Sequence, residues 1–247
     1  MLVIRDAQFR AFEESVLDQF EERMLGYLAE SFPKQSALLG PERMRGIIAL
    51  GRQRSARYEL LTERDIYLYL TLMLMLGSWF DEDPQLPWCA ARLTARSILH
   101  PPARLNQLHS ETMDYLDRVA GEDNEHLIRA LLRIRAFDPA SADGIPADVF
   151  EEEMVKTLSG FYPQKAAHQG AEATRLVVRN AAAVAGRAGL ASQRSVCLLA
   201  GLAFMLGSGF HRDPQFPWAQ DALPPEGRAN LDALQSGAMQ FLEHGLS

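Results

Sequence analysis

The sequence is short of nearly everything that marks a secreted, membrane-spanning or nucleic-acid-binding protein. Only two cysteines occur in 247 residues, Cys89 and Cys197. They are far apart and lack CxxC spacing, so no shared disulfide framework is indicated. Free cysteine in a reducing compartment behaves as a small buried hydrophobe. Positive charge is in deficit, with a formal net charge of -7. A phosphate-binding surface has to be basic, so no nucleic-acid partner is expected. The most apolar run, Ile66 to Leu76, falls well short of the roughly 20 residues that span a bilayer. The opening Met1-Leu2-Val3-Ile4-Arg5-Asp6 turns polar at once, without the apolar stretch and cleavage site of a signal peptide. The expectation is a cytoplasmic protein that is not integral to a membrane.

Catalytic patterns are scarce too. The six histidines, His100, His109, His126, His168, His211 and His244, form no helical pair of metal-ligating spacing. Glu122 and His126 have that spacing but read as a surface pair. Met73 and Met75 read as core filling. No GxSxG, Walker loop or glycine-rich dinucleotide turn is present. No catalytic, metal or cofactor site is expected, and the chain reads as a non-enzymatic binding protein.

What the sequence does have is a repeat. Residues 20–88 align with 150–218 at a constant offset of 130, and 25 of the 69 aligned positions are identical. The densest block runs Met75-Leu76-Gly77-Ser78, Phe80, Asp83-Pro84-Gln85 and Pro87-Trp88. It returns as Met205-Leu206-Gly207-Ser208, Phe210, Asp213-Pro214-Gln215 and Pro217-Trp218. A period this long suits a duplicated subdomain better than a solenoid. Hydrophobic residues make up 47% of the chain, enough for a packed core.

Each copy reads as three helices and a proline-rich loop. Phe9, Phe12, Val16, Phe20 and Met24 recur at helical spacing, predicting a first helix over 6–31 that stops at Phe32-Pro33. Met44, Ile47, Ile48, Gly51, Ser55 and Tyr58 share one face of a second helix beginning near Pro41. Arg54 lies among the arginines flanking that face, where stems usually cover the core edge. Gly51/Ala181 and Ser55/Ala185 keep the contact small enough for a neighbouring helix to approach closely. Thr62 and Ser192 are N-cap residues of a third helix that is apolar all round and therefore central. Helical pattern continues over 90–118 and 122–136, and 137–146 reads as a linker. The fold expected is all-α, a tandem duplication of a three-helix unit in pseudo-twofold arrangement, divided into 1–137 and 138–247.

The loop carries the site candidates. Asp83 and Asp213 can each cap a turn whose first position is Pro84 or Pro214, and Pro87 and Pro217 complete the motif. Phe80, Trp88, Phe210 and Trp218 are expected to be largely buried there as a structural lock. The tips diverge, with Trp79, Asp81 and Glu82 standing opposite Gly209, His211 and Arg212. Residues 20–88 hold 8 Lys+Arg against 10 Asp+Glu, a net of -2, whereas 150–218 hold 7 against 5, a net of +2. Variable loops on a constant scaffold are where partners bind. The expectation is that Trp79, Asp81 and Glu82 meet one partner and His211 and Arg212 another.

The opening Ile4-Arg5-Asp6-Ala7-Gln8-Phe9, the Phe32-Pro33 to Gly40 turn, Glu63-Arg64-Asp65 and the Phe80 to Trp88 loop resemble one family. It comprises small helical bacterial proteins encoded beside type VI secretion spike and PAAR-effector genes. The likeness covers residues 4–88 well and 150–218 more loosely. It implies a chaperone, co-chaperone or adaptor that helps load an effector onto the spike. The partners would be a secreted effector, a second chaperone, or both; the resemblance brings no catalytic residues. The alternative is an immunity protein that neutralises a cognate toxin by direct binding, since an acidic chain suits a basic nuclease.

Overall fold

The computed structural model describes residues 6–95, 100–190, 192–225 and 228–245, with side chains described only from residue 15 to residue 243. The described residues are helical, without a strand. In chain order the helices are α1 (Asp6–Ser31), α2 (Pro33–Ala56), α3 (Glu63–Leu76), α4 (Pro87–Leu93), α5 (Pro101–Ala120) and α6 (Glu125–Arg135). They continue as α7 (Phe150–Phe161), α8 (Pro163–Arg187), α9 (Gln193–Leu206), α10 (Pro217–Ala222) and α11 (Leu231–Gly245).

The 130-residue offset recurs in the element boundaries. α2 and α8 begin at Pro33 and Pro163, α3 and α9 at Glu63 and Gln193, and α4 and α10 at Pro87 and Pro217. Short 3-10 turns at Phe80–Glu82 and Phe210–Arg212 keep the same spacing. The correspondence runs past the aligned segment, because α5 starts at Pro101 and α11 at Leu231. Proline suits these first helical positions, since its missing N–H would have no partner there anyway. Thr62 Oγ1 accepts from Asp65 N at 3.2 Å and Ser192 Oγ from Ser195 N at 3.1 Å, so both are N-caps.

Three expectations change. The second helix starts before Pro41: residues 33–39 are already helical, and the chain bends at Gly40 before continuing. The pattern over 90–118 is no single helix, because α4 ends at Leu93 and α5 opens at Pro101; the Pro101-Pro102 pair cannot sit inside a helix. The stretch 137–146 is not a bare linker either. It forms a 3-10 turn over Pro139–Gly144 whose Pro139 and Ala142 are buried.

α3 and α9 form the centre. Ile66, Tyr69, Leu70, Leu72 and Met73 are buried on α3, and Leu199, Ala200, Ala203 and Phe204 on α9. These belong to one continuous core that also takes in Met24, Leu28 and Ile47 from the first half and Met154, Leu158 and Val177 from the second. The division at 137/138 therefore does not separate two cores. Cys89 and Cys197 are free and buried, and burial pushes the Cys197 thiol up to about 12. Among the described residues no helix is long and apolar enough to cross a membrane.

Close approach of α2 to α3 depends on Gly51. A Cβ there would lie 2.3 Å from Leu70 Cδ2 and 3.0 Å from Met73 Sδ. Leu70 and Met73 are both fully buried, so neither has solvent to move into. Gly51→Val should therefore lower stability by about 2 kcal/mol, the usual scale for overpacking. Urea denaturation measures it; a midpoint equal to wild type would show that α2 and α3 can separate freely.

Candidate functional site

The Gly-Ser and Asp-Pro-Gln segments of the two copies bind each other rather than themselves. Asp83 accepts from the Ser208 amide and the Ser208 hydroxyl, both at 2.8 Å. Reciprocally, Asp213 accepts from the Ser78 amide and hydroxyl, both at 2.7 Å. Each carboxylate also accepts from the amide two residues on, Gln85 N and Gln215 N, at 2.9 Å, an Asx turn that orients it. The glutamine side chains then reach across: Gln85 Nε2 donates to Ala203 O and Gln215 Nε2 to Met73 O, both at 2.9 Å. These acceptors lie in the last turns of α9 and α3, and each also accepts from the glycine amide that ends its helix, Gly207 N at 3.0 Å and Gly77 N at 2.9 Å.

The crossing point admits no side chain. Gly77 and Gly207 both take φ 95, a left-handed conformation costly for any residue with a Cβ. A Cβ on Gly77 would lie 3.1 Å from Leu206 O, and one on Gly207 3.1 Å from Asp83 Oδ2. Pro84 and Pro214 occupy the turns closed by Leu86 N donating to Asp83 O and Phe216 N to Asp213 O, both at 2.9 Å. Pro87 and Pro217 then open α4 and α10. Phe80 and Phe210 are buried. Trp88 and Trp218 are partly buried and pack against the core. Trp88 packs against Tyr115 at 5.7 Å and Trp218 against Phe241 at 6.0 Å, with both indole N–H groups unpartnered.

The divergent tips also face each other. Asp81 is buried, ion-paired to the fully buried Arg54, and accepts from Tyr58 Oη at 2.8 Å. Glu82 bridges three arginines: Arg54 and Arg57 at 3.0 Å and Arg212 of the other copy at 3.2 Å. Burial pushes the Glu82 carboxyl up, but these arginines outweigh it and hold it below the usual range. Trp79 is sandwiched, with the Arg54 guanidinium carbon 4.0 Å from its ring centre and that of Arg212 at 3.5 Å. Both distances are within cation–π range. The acidic tip is thus paired mainly with arginines of its own copy, and Glu82 also links it to Arg212 of the other. Trp79, Asp81, Glu82 and Arg212 form one cluster, with Glu82 and Arg212 partly exposed, rather than lying on two separate surfaces.

Copy two exchanges this cluster as a set. At the offset of 130, Arg54 becomes Val184, Tyr58 becomes Ala188, Tyr69 becomes Leu199 and Asp81 becomes His211. Loss of the arginine accompanies loss of the aspartate, so neither charge is left buried alone. Val184 and His211 line a cleft of about 270 Å³ whose walls also include Trp79, Asn180, Arg187 and Arg212. Burial first, and then Arg212 and Arg187, push His211 down to about 4. A second cavity of about 240 Å³ lies at the crossing point and is lined in part by Lys165, Tyr115 and Gln85. Lys165 is buried and donates to Phe204 O near the end of α9, and burial pushes it down to about 8. A cation there suits the negative end of the helix dipole.

Sequence reasoning places the loop motif but misses three groups of partners. Arg54 reads as a flanking arginine, although its paired exchange with Asp81 between copies marks it. Ser78 and Ser208 are signalled only by their constancy, as are Gln85 and Gln215. Among the described residues no group of three His, Cys, Asp or Glu is placed to hold a metal ion. No family model, curated protein or solved structure matches the chain.

Two outcomes test this geometry. Asp213→Ala strands the Ser78 amide and hydroxyl and the Gln215 amide, and should cost about 3 kcal/mol by chemical denaturation, the scale of orphaned buried donors. A variant as stable as wild type would show that the crossing is dispensable. The second outcome concerns pH. Folded His211 titrates at about 4 against an ordinary 6.5, so on acidification the unfolded chain takes up a proton that the folded chain refuses. Stability is therefore complete above 6.5 and falls as pH drops toward 4. His211→Gln should flatten that fall in melts compared at pH 7 and pH 5; an unchanged fall would acquit His211.

Proposed function

We propose that this chain is a non-enzymatic binding protein of a type VI secretion system, a chaperone, co-chaperone or adaptor that helps load an effector onto the spike. One observation carries the reading, an asymmetry in exposed apolar side chains. Val16, Tyr27, Leu38 and Leu61 are exposed at 48%, 44%, 59% and 70%. Their counterparts 130 residues on are Pro146, Thr157, His168 and Ala191, none of them a large apolar residue. At these four positions the first copy has large apolar side chains where the second does not, although Leu176 of α8, opposite Gly46, is also exposed at 38%. A contiguous exposed apolar patch marks an interaction surface, and these side chains are the candidates for one. The family resemblance is strongest over residues 4–88, in this same copy, which favours a secreted effector or a second chaperone as the partner of these residues.

A surface double variant, Leu38→Ser with Leu61→Ser, should melt like wild type and fail to retain the co-expressed effector in a pull-down. Effector delivery to target cells should fall with it. Undiminished retention and delivery would overturn the reading. So would protection of cells that express the toxin, with delivery unaffected, which would assign direct neutralisation instead.

A further inference from the structure

The cavity at the crossing point holds a buried basic group that the repeated scaffold does not need. Lys165 lies in the first turn of α8 and is 9% exposed, whereas its counterpart 130 residues earlier, Gln35, is exposed. Lysine is also rare in this chain: of 25 basic residues only Lys34, Lys156 and Lys165 are lysines. Arginine keeps its charge when buried, whereas a buried lysine gives up its proton readily. The chain buries an arginine where a carboxylate meets it, Arg54 with Asp81, and a lysine where no ion pair forms. Among the described residues Lys165 has one hydrogen-bond partner, Phe204 O, and no ion-pair partner; the Phe204 ring centre lies 5.3 Å from its Nζ. Burial lowers its pKa to about 8, with the Asp83 charge acting the other way. The amine is therefore available as a free base at a pH where exposed lysines are protonated.

The space around Lys165 measures about 240 Å³, larger than the roughly 150 Å³ of an apolar cavity that holds benzene. Leu74, Leu86, Leu116, Val119, Leu127 and Phe216 give it apolar walls. Gln85, also in the wall, has a buried Oε1 with no hydrogen-bond partner, its Nε2 being committed to Ala203 O and Asp83. An anionic occupant would face the Asp83 carboxylate, which lines the same cavity; a neutral one would not be repelled. We propose that this cavity takes a small apolar aldehyde and holds it as an imine on Lys165. The amine lone pair adds to the carbonyl carbon, so that a C–N bond forms as the C=O π bond opens. A proton passes from nitrogen to oxygen, giving a carbinolamine whose hydroxyl can donate to Gln85 Oε1. That hydroxyl leaves as water and the nitrogen lone pair closes the C=N bond. Once protonated, the imine N–H keeps Phe204 O as its acceptor, and its positive charge suits the C-terminal end of α9.

The probe is benzaldehyde, added to the intact chain, reduced in place with borohydride and mapped by peptide mass spectrometry. Lys34 and Lys156 are exposed and act as internal controls. Lys165 should carry the benzyl group about tenfold more than either at pH 7, because each unit by which a pKa is lowered gives about tenfold more free amine. That preference should vanish when the chain is unfolded in urea. An aldehyde on a four-ring aromatic body, too large for the cavity, should label Lys34 and Lys156 and spare Lys165. Labelling confined to the two exposed lysines would overturn the proposal. So would equal labelling of Lys165 by both aldehydes, which would mark a reactive amine without a binding cavity, or a preference that survives unfolding.

Discussion

Two buried carboxylates, each satisfied by the opposite copy, are the constraint on which the rest of the molecule depends. Burying an ionised group costs several kcal/mol unless donors surround it. Asp83 obtains two of its donors from Ser208 and Asp213 two from Ser78. Neither loop can therefore adopt its folded form in a low-dielectric interior unless the other is in place. Burial still pushes Asp213 above its ordinary range, against the hydrogen bonds from Ser78 and Gln215. The same crossing explains why the identities concentrate where they do. Gly77 and Gly207 hold a positive φ, and a Cβ on either would crowd an oxygen of the other copy at 3.1 Å, while the two glutamines each reach a helix end of the other copy.

The symmetry of that centre makes the asymmetry of its rim necessary. Positions 79 and 209 meet at the crossing, where a Cβ on Gly209 would lie 2.7 Å from the Trp79 side chain. Two tryptophans could not occupy that space. Two acidic tips facing each other would also repel, whereas Glu82 facing Arg212 forms an ion pair at 3.2 Å. Once the two copies face each other in one chain they can complement each other as different surfaces, and each substitution is matched by another. Arg54 with Asp81 against Val184 with His211 is the clearest case. The charge difference of the tips thus has a use inside the molecule, in the Glu82–Arg212 pair.

Much of the helical framework was legible because each element carries its own local signal. Prolines at first-turn positions, the Thr62 and Ser192 caps and the all-round apolar character of α3 and α9 depend only on neighbours in sequence. The site was legible only as a motif. A repeated Asp-Pro-Gln shows that a residue is kept, but both copies of a capping aspartate look the same whether they bind their own loop or the other one. Arg54 was hidden for a similar reason. On a helical wheel a buried arginine at the edge of the apolar face cannot be told from one that lays its stem there. Its partner lies 27 residues away in sequence, on a turn whose path periodicity does not specify.

The difference between the copies at the start of the third helix has a comparably local cause. Residues 9–16 contain no helix breaker, so α1 continues through them with Phe9, Glu14 and Val16 in line. Their counterparts are Pro139, Gly144 and Pro146. Proline inside a helix removes a hydrogen bond and clashes with the preceding turn, at about 3 kcal/mol, and glycine adds close to 1. Three such residues within eight positions stop α7 from extending backward, and the chain turns over α9 instead. It finds there an amide at Arg194 for Asp143 and a side-chain donor in Gln193 for Ile145 O. A helix too costly to extend thus becomes the segment that covers the third helix of its own copy. Where the helix does extend, Arg64 bonds Asn106 and Tyr67 bonds Ser31 instead, so one helix breaker more or fewer changes what the start of the third helix packs against.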